Sequence, residues 1–135
     1  MNSVESANLQ TSGMRFLLIE DDEICQYLTG NYLRELGGSV DIAETAEKAL
    51  EYLDENKYTL IFLDIGLPDR NGIELMQEIN NLSKKIKTPV IATTGHARSE
   101  QKEAYLSTGI KNILEKPISK EDLSKVVGRF ALCVN

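Results

Sequence analysis

Four stretches of this chain put a group capable of chemistry at the end of an apolar run. Glu20, Asp21 and Asp22 follow RFLLI; Asp64 follows LIFL; Thr93 and Thr94 follow PVIA; Lys116 follows NILE. Carboxylates crowded together repel one another, and burial penalises each charge, so such a group calls for a cation. No Cys or His cluster competes, and a donor set made only of oxygens suits Mg²⁺ rather than zinc. Mg²⁺ uses one or two carboxylates with waters and phosphate oxygens, which points to phosphoryl chemistry. A carboxylate can itself be the nucleophile and become an aspartyl phosphate. Asp64 suits that role, because it ends the central run and the turn-rich IGLPDRNG follows it. Gly66 has no side chain and leaves a backbone carbonyl free to reach a metal. Lys116 can pair with one phosphoryl oxygen, and the Thr94 hydroxyl can donate to another.

Each of these residues also has an ordinary use. An acid after a strand often caps the next helix, and Asp22 suits that role. Lys116 alone reads as a solvent lysine, Thr94 as the end of a strand, and His96 as a loop histidine. The coincidence of four strand ends carries the chemical reading, so the elements that bring those ends together decide it.

The apolar runs RFLLIE, TLIFLD and PVIATT are continuous, as in a parallel sheet covered on both faces. SVDIAE alternates and reads as a strand nearer an edge, and GIKNILEKP is a weaker strand. Helical spacing fills the intervals. Ala46, Ala49, Leu50 and Leu53 fall at i, i+3, i+4 and i+7, as do Leu123, Val126, Val127 and Phe130. Gly72, Leu75, Met76 and Ile79 repeat the spacing, with Leu82 extending the stripe. Ile24, Leu28 and Tyr32 begin an apolar face on the first helix, which Gly37-Gly38 stops. Ser119 with Asp122 resembles a capping box opening the last helix. Residues 99–108 form the poorest helix, with Ala104, Tyr105 and Leu106 as its apolar cluster. The order is β-α five times over, and right-handed crossovers make that a doubly wound α/β sandwich. In such sheets the site lies beyond the carboxyl ends of the strands, where all four chemical groups fall.

The 135 residues suffice for one domain with its own core. Residues 1–13 read as a loose polar tail, and residues 14–132 as the domain. The tail has no apolar segment of a signal peptide, and the chain has no membrane-length apolar run. Cys25 and Cys133 lie far apart without metal spacing, which suits reduced thiols in a cytoplasmic protein. Residues 1–72 hold 5 basic and 14 acidic groups, while residues 73–135 hold 10 and 7. The acidic half argues against nonspecific nucleic-acid binding, and the basic KKIK at 84–87 reads as a solvated loop.

LLIEDD, LDIGLPDRNG, PVIATTG and EKPI, in this order and at these intervals, resemble the receiver domain of two-component response regulators. The resemblance covers about residues 14–132. It implies a flavodoxin-like (βα)5 sandwich with a five-stranded parallel sheet in the order 2-1-3-4-5. It implies that Asp64 takes phosphate from a histidine kinase or histidine phosphotransfer protein. Glu20, Asp21, Asp64 and the Gly66 carbonyl would hold Mg²⁺, and Thr94 and Lys116 would read and neutralise the phosphate. Output would pass through a protein partner, without direct contact to nucleic acid or membrane. The wording of DIGLPDRNGIEL, ATTGHA and ILEKPIS resembles receivers attached to hybrid sensor kinases, which pass phosphate on to a histidine phosphotransfer domain. A stand-alone regulator and a hybrid-kinase segment both remain open. Many receivers carry Tyr or Phe three residues before the lysine, where this chain has Ile113. An aromatic switch cannot operate there in that form.

Three other readings compete. A Mg²⁺-dependent aspartyl-phosphate phosphatase usually has a second aspartate two residues after its nucleophile, where this chain has Gly66. A flavodoxin-like FMN protein wants a Ser/Thr/Gly-rich loop after strand one, where this chain has EDDEICQ. A receiver that no longer takes phosphate is opposed by intact Asp64, Thr94 and Lys116.

Overall fold

The computed structural model describes residues 13–82, 88–95 and 99–131 of the chain. Five strands alternate with five helices. They are β1 (Arg15–Ile19), α1 (Glu23–Glu35), β2 (Ser39–Ala43), α2 (Ala46–Glu55), β3 (Leu60–Asp64), α3 (Gly72–Leu82), β4 (Val90–Thr94), α4 (Ser99–Ser107), β5 (Asn112–Glu115) and α5 (Lys120–Val126). A π-helical turn, Val127–Ala131, continues α5. The strands form one sheet in the order β2-β1-β3-β4-β5, and every pairing is parallel. The alternating SVDIA run lies at one edge, and the short β5 at the other.

Alternate residues of each strand feed two separate apolar layers. Phe16, Leu18, Leu60, Phe62 and Ile91 point to one face, where Leu33 of α1 and Leu123 and Val126 of α5 cover them. Leu17, Ile19, Ile61, Leu63 and Ala92 point to the other, under Ala46 and Ala49 of α2 and Leu75, Met76 and Ile79 of α3. Every residue of β3 and β4 is buried, which explains their unbroken apolar character. Phe16 and Phe62 meet edge to face, with ring centroids 6.1 Å apart. Gly38 is required by that packing, because a Cβ there would fall 2.2 Å from Cε2 of Phe16.

The helix ends follow their local chemistry. Asp22 caps α1, Thr45 caps α2 and Ser119 caps α5, each side chain accepting a backbone N–H of the first turn. Gly37, at φ 102°, turns the chain after α1.

Two helix faces differ from the sequence expectation. The buried residues of α1 are Thr29, Gly30 and Leu33, whereas Ile24 and Leu28 are exposed and only Tyr32 packs on the core. Helix α1 thus turns a different stripe to the sheet, and its apolar start faces outward. Leu82 does not extend the α3 stripe inward either, since it stands exposed at the helix end. Helix α4 is the least anchored: none of residues 101–107 is buried, although Tyr105 packs against the core edge. Residues 1–12 of the expected tail, the KKIK run, His96 and Cys133 lie outside the described residues.

Candidate functional site

A parallel sheet with right-handed crossovers puts all its strand C-termini on one rim, and the buried polar groups gather there. Among the described residues, the buried polar or charged ones are Glu20, Thr29, Asp64, Thr93 and Thr94. All but Thr29 lie at the C-terminal ends of β1, β3 and β4. A buried polar group needs an explanation more than an exposed apolar one does.

Asp64 sits on the central strand with its two oxygens in different surroundings. Oδ1 accepts the Gly66 amide at 3.0 Å, and Oδ2 faces Nζ of Lys116 at 3.4 Å. Lys116 is placed by the edge strand, because its amide donates to the Thr94 carbonyl at 2.7 Å. Its ammonium sits closest to Glu20, with Nζ 2.7 Å from Oε1. Glu20 follows β1 and is locked by three bonds. Its amide donates to the Ala43 carbonyl at 2.9 Å, its Oε2 accepts the Asp22 amide at 3.2 Å, and its carbonyl accepts Nε2 of Gln26 at 2.7 Å.

Glu20, Asp21 and Asp64 come together, with one oxygen from each lying within 4.8 Å of the others. Glu20 and Asp64 are buried, and Asp21 opens to solvent. Burial pushes the Glu20 carboxyl up to about 7, Asp64 adds to the rise, and Lys116 and the Asp22 amide oppose it. Burial pulls the Lys116 ammonium down, but its hydrogen bond to Glu20 and the charge of Asp64 more than offset this and hold it above its usual value. One ammonium therefore faces the two buried carboxylates, and Asp21 adds a third beside them. The residual negative charge and the all-oxygen donor set fit a hard divalent cation.

Asp22 is turned away from this group. Its Oδ1 accepts the Ile24 amide at 2.9 Å and its Oδ2 accepts Sγ of Cys25 at 3.5 Å. The Ile24 amide, foremost, holds its carboxyl below the usual aspartate range. Gly66 is exposed, and a Cβ there would meet only Oδ1 of Asp64, at 3.7 Å. Space for a side chain therefore exists at 66, and glycine leaves the mouth above Asp64 open. Thr94 is buried at the end of β4. Ile113 lies on β5 opposite Ala92 and packs, half-buried, against the core layer beneath α2 and α3.

Three features went unread in the sequence. Asn71 and Glu74 form a reciprocal cap on α3, with the Glu74 amide on Oδ1 of Asn71 at 2.9 Å and Nδ2 of Asn71 on Oε1 of Glu74 at 2.8 Å. Their N-x-x-E spacing is a signal for such a cap. Gln26 and Asp69, by contrast, act through bonds that no local pattern announces. Asp69 accepts the amides of Ala46 and Glu47, more than twenty residues away in the chain.

Residues 16–128 match the model of the response regulator receiver domain family. The aerobic respiration control sensor protein ArcB of Escherichia coli K12 is 30% identical over 130 residues, which is 96% of this chain and 17% of that protein. The signal transduction histidine-protein kinase BarA of the same organism is 32% identical over 117 residues, 87% of this chain and 13% of that protein. The chain thus spans a small part of the length of these relatives. Among solved structures, the receiver domain of sensor histidine kinase PA1611 from Pseudomonas aeruginosa PAO1 is 28% identical with a TM-score of 0.80. That likeness covers 88% of this chain and 98% of that one, and magnesium is coordinated in the neighbour's active-site cleft. A CheY-like receiver domain protein from Methanospirillum hungatei JF-1 is 30% identical at TM-score 0.79, covering 87% and 93%. With its parallel sheet in the order 2-1-3-4-5 and its carboxylates on the C-terminal rim, the chain belongs to the response regulator receiver domain family of two-component signalling proteins.

Proposed function

We propose that this chain is a phosphoacceptor receiver, with residues 14–132 as the working unit, residues 1–13 as its tail and Asp64 as the accepting residue. The observation that carries the reading is the split environment of Asp64. The Gly66 amide holds Oδ1, while Oδ2 faces Lys116, and an oxygen of Asp64 lies within 4.8 Å of one from each of Glu20 and Asp21. An oxygen of Asp64 attacks phosphorus of a phosphohistidine, the P–N bond breaks, and its electron pair leaves with the imidazole, which takes up a proton. The gained P–O bond is the aspartyl phosphate.

Glu20, Asp21, Asp64 and the Gly66 carbonyl would hold Mg²⁺. When bound, Mg²⁺ supplies the charge neutralisation that transfer between two anions requires. Lys116 swings part of its charge from Glu20 to the incoming oxygens, and Thr94 donates its hydroxyl to another oxygen. Hydrolysis of the product or transfer to a further histidine resets Asp64. The module does no other chemistry.

The partner in this reading carries the histidine, as a histidine kinase or a histidine phosphotransfer protein, and a protein target receives the output. Ile24, Tyr27 and Leu28 support this, being exposed at i, i+3 and i+4 directly beyond the carboxylates. Three large apolar side chains facing water beside the mouth offer a seat for a protein that must bring its imidazole to Asp64. The likeness to segments of sensor kinases favours a phosphorelay, with the histidine phosphotransfer domain as recipient. Phosphohistidine made from ATP sets this chemistry in the cytoplasm. Among the described residues, no helix is long and apolar enough to cross a membrane.

Acetyl phosphate with Mg²⁺ tests the reading without any partner. The wild type gains one phosphoryl group by intact mass, and Asp64→Asn gains none. Equal gains in both would remove Asp64 from the reaction.

A further inference from the structure

The loop after Asp64, residues 65–71, is anchored at both ends. At its start the Ile65 amide donates to the Thr93 carbonyl at 3.0 Å, and the Ile65 and Leu67 side chains are buried. At its end Asn71 and Glu74 close the cap on α3. Between these anchors Asp69 leaves the loop and reaches the start of α2. Its Oδ1 accepts the Ala46 amide at 3.1 Å, and its Oδ2 accepts the Glu47 amide at 3.3 Å.

Helix α2 already has a local cap. Oγ1 of Thr45 accepts the Lys48 amide at 3.1 Å, and the Ala49 amide begins the intrahelical bonds at 3.1 Å to the Thr45 carbonyl. Asp69 therefore satisfies the two amides that Thr45 leaves over. Using both oxygens fixes the orientation of the Asp69 carboxylate, and the helix N-terminus favours its charge.

Only Leu67 and Pro68 separate Asp69 from Gly66. Leu67 is buried, and the ring of Pro68 locks its φ near about −65°. The segment between the pinned carboxylate and Gly66 is thus short and restrained at both of its residues. Gly66 donates its amide to Oδ1 of Asp64, and the reading above assigns its carbonyl, in the next peptide unit, to Mg²⁺.

We propose that Asp69 is a positioning residue for the Asp64 site: pinned on the start of α2, it sets the Gly66 peptide that orients Asp64. This rests on the receiver reading of Asp64, and it makes α2 a structural part of the site. A simpler role, stabilising α2 alone, is separated from it by Thr45→Ala, which removes a cap from the same helix without touching the loop.

The experiment compares wild type, Asp69→Ala, Asp69→Asn and Thr45→Ala in three measurements. These are the amide resonance of Gly66 in metal-free protein, Mg²⁺ titration, and the rate of acetyl-phosphate labelling. Asp69→Ala shifts the Gly66 amide and weakens Mg²⁺ binding and labelling by roughly tenfold, the scale of lost support behind a metal ligand. Asp69→Asn keeps one acceptor oxygen and falls between, and it carries the test if Asp69→Ala does not fold. Thr45→Ala lowers stability and leaves the other readouts unchanged. Equal effects of Asp69→Ala and Thr45→Ala, or an unmoved Gly66 amide with wild-type labelling, would reduce Asp69 to a helix cap. Failure of the wild type to label would instead strike the receiver reading, while the metal-free Gly66 resonance would still decide whether Asp69 sets that peptide.

Discussion

Asp22 follows a strand and Asp64 ends one, yet their carboxylates end in opposite roles. Asp22 spends its oxygens on the first turn of α1, while Asp64 keeps Oδ2 turned into the rim beside Lys116. Asp21, between Glu20 and Asp22, is the exposed member of the carboxylate trio. Replacing it with Ala removes a charge from the proposed metal site without opening a core cavity. Asp21→Ala should weaken Mg²⁺ binding by at least several-fold in a calorimetric titration, whereas Cys25→Ser should match the wild type. An unchanged titration in Asp21→Ala would take that residue off the ligand set. Asp69 supplies a pH prediction. Burial pushes its carboxyl up, but the Ala46 and Glu47 amides and neighbouring Arg70 outweigh this and hold it below the ordinary aspartate range. A depressed carboxyl stabilises the fold above its unfolded value of about 3.9, and that contribution is lost as pH falls through the folded value. Asp69→Ala should therefore cost about 1 kcal/mol at pH 7, the usual cost of a lost cap. The gap should narrow in urea titrations taken at successively lower pH below about 4. A gap that stays constant into acid would show that Asp69 acts without its charge.

At the scale of elements, α1 and α4 are the two helices whose surfaces do not serve the core fully. The outward-facing Ile24, Tyr27 and Leu28 of α1 contribute little to folding, so Tyr27→Ala should change stability by no more than about 0.5 kcal/mol. The same change should slow transfer from a phosphohistidine protein by roughly tenfold, as loss of an aromatic anchor worth more than about 1 kcal/mol does. Labelling by acetyl phosphate, which needs no docking, should be unaffected. Equal rates from the protein donor in wild type and Tyr27→Ala would move the docking face elsewhere. Helix α4 is the element poised to shift, because none of residues 101–107 is buried and Lys102 pairs with Glu115 at 3.0 Å with both side chains about half exposed. A new phosphoryl charge read by Thr94 should move residues 94–107, while Ile113, stiff at χ1 and without a hydroxyl, stays packed on the core. Amide shifts with and without beryllofluoride should be largest, away from Asp64, within residues 94–116. Thr94→Ala should lose most of that response and Ile113→Val should keep it. A response centred on α1 or α2 would contradict this route.

For the whole molecule, the rim was legible from the sequence because topology does the assembling. Parallel strands joined by right-handed crossovers carry every strand end to one edge, so Glu20, Asp64, Thr94 and Lys116 meet without any local motif joining them. The edge position of β2 was legible because a strand with one open side tolerates the polar residues of SVDIA, whereas β5 read only as a weaker strand and its edge place came with the resemblance. The rotation of α1 was not legible, since Ile24 and Leu28 have core-like spacing and only packing reveals that Thr29, Gly30 and Leu33 face the sheet. Asp69 escaped because its partners lie on another element, and PDRNG reads locally as a turn. The claim on which the rest depends is that this rim makes one aspartate a phosphoryl acceptor. Intact mass spectrometry after acetyl phosphate and Mg²⁺, followed by peptide mapping of the borohydride-reduced product, measures it directly. A single phosphoryl group is expected at Asp64, abolished by Asp64→Asn or by chelating the metal. A wild-type protein that stays unmodified, or one modified at Glu20 or Asp21 instead, would contradict it.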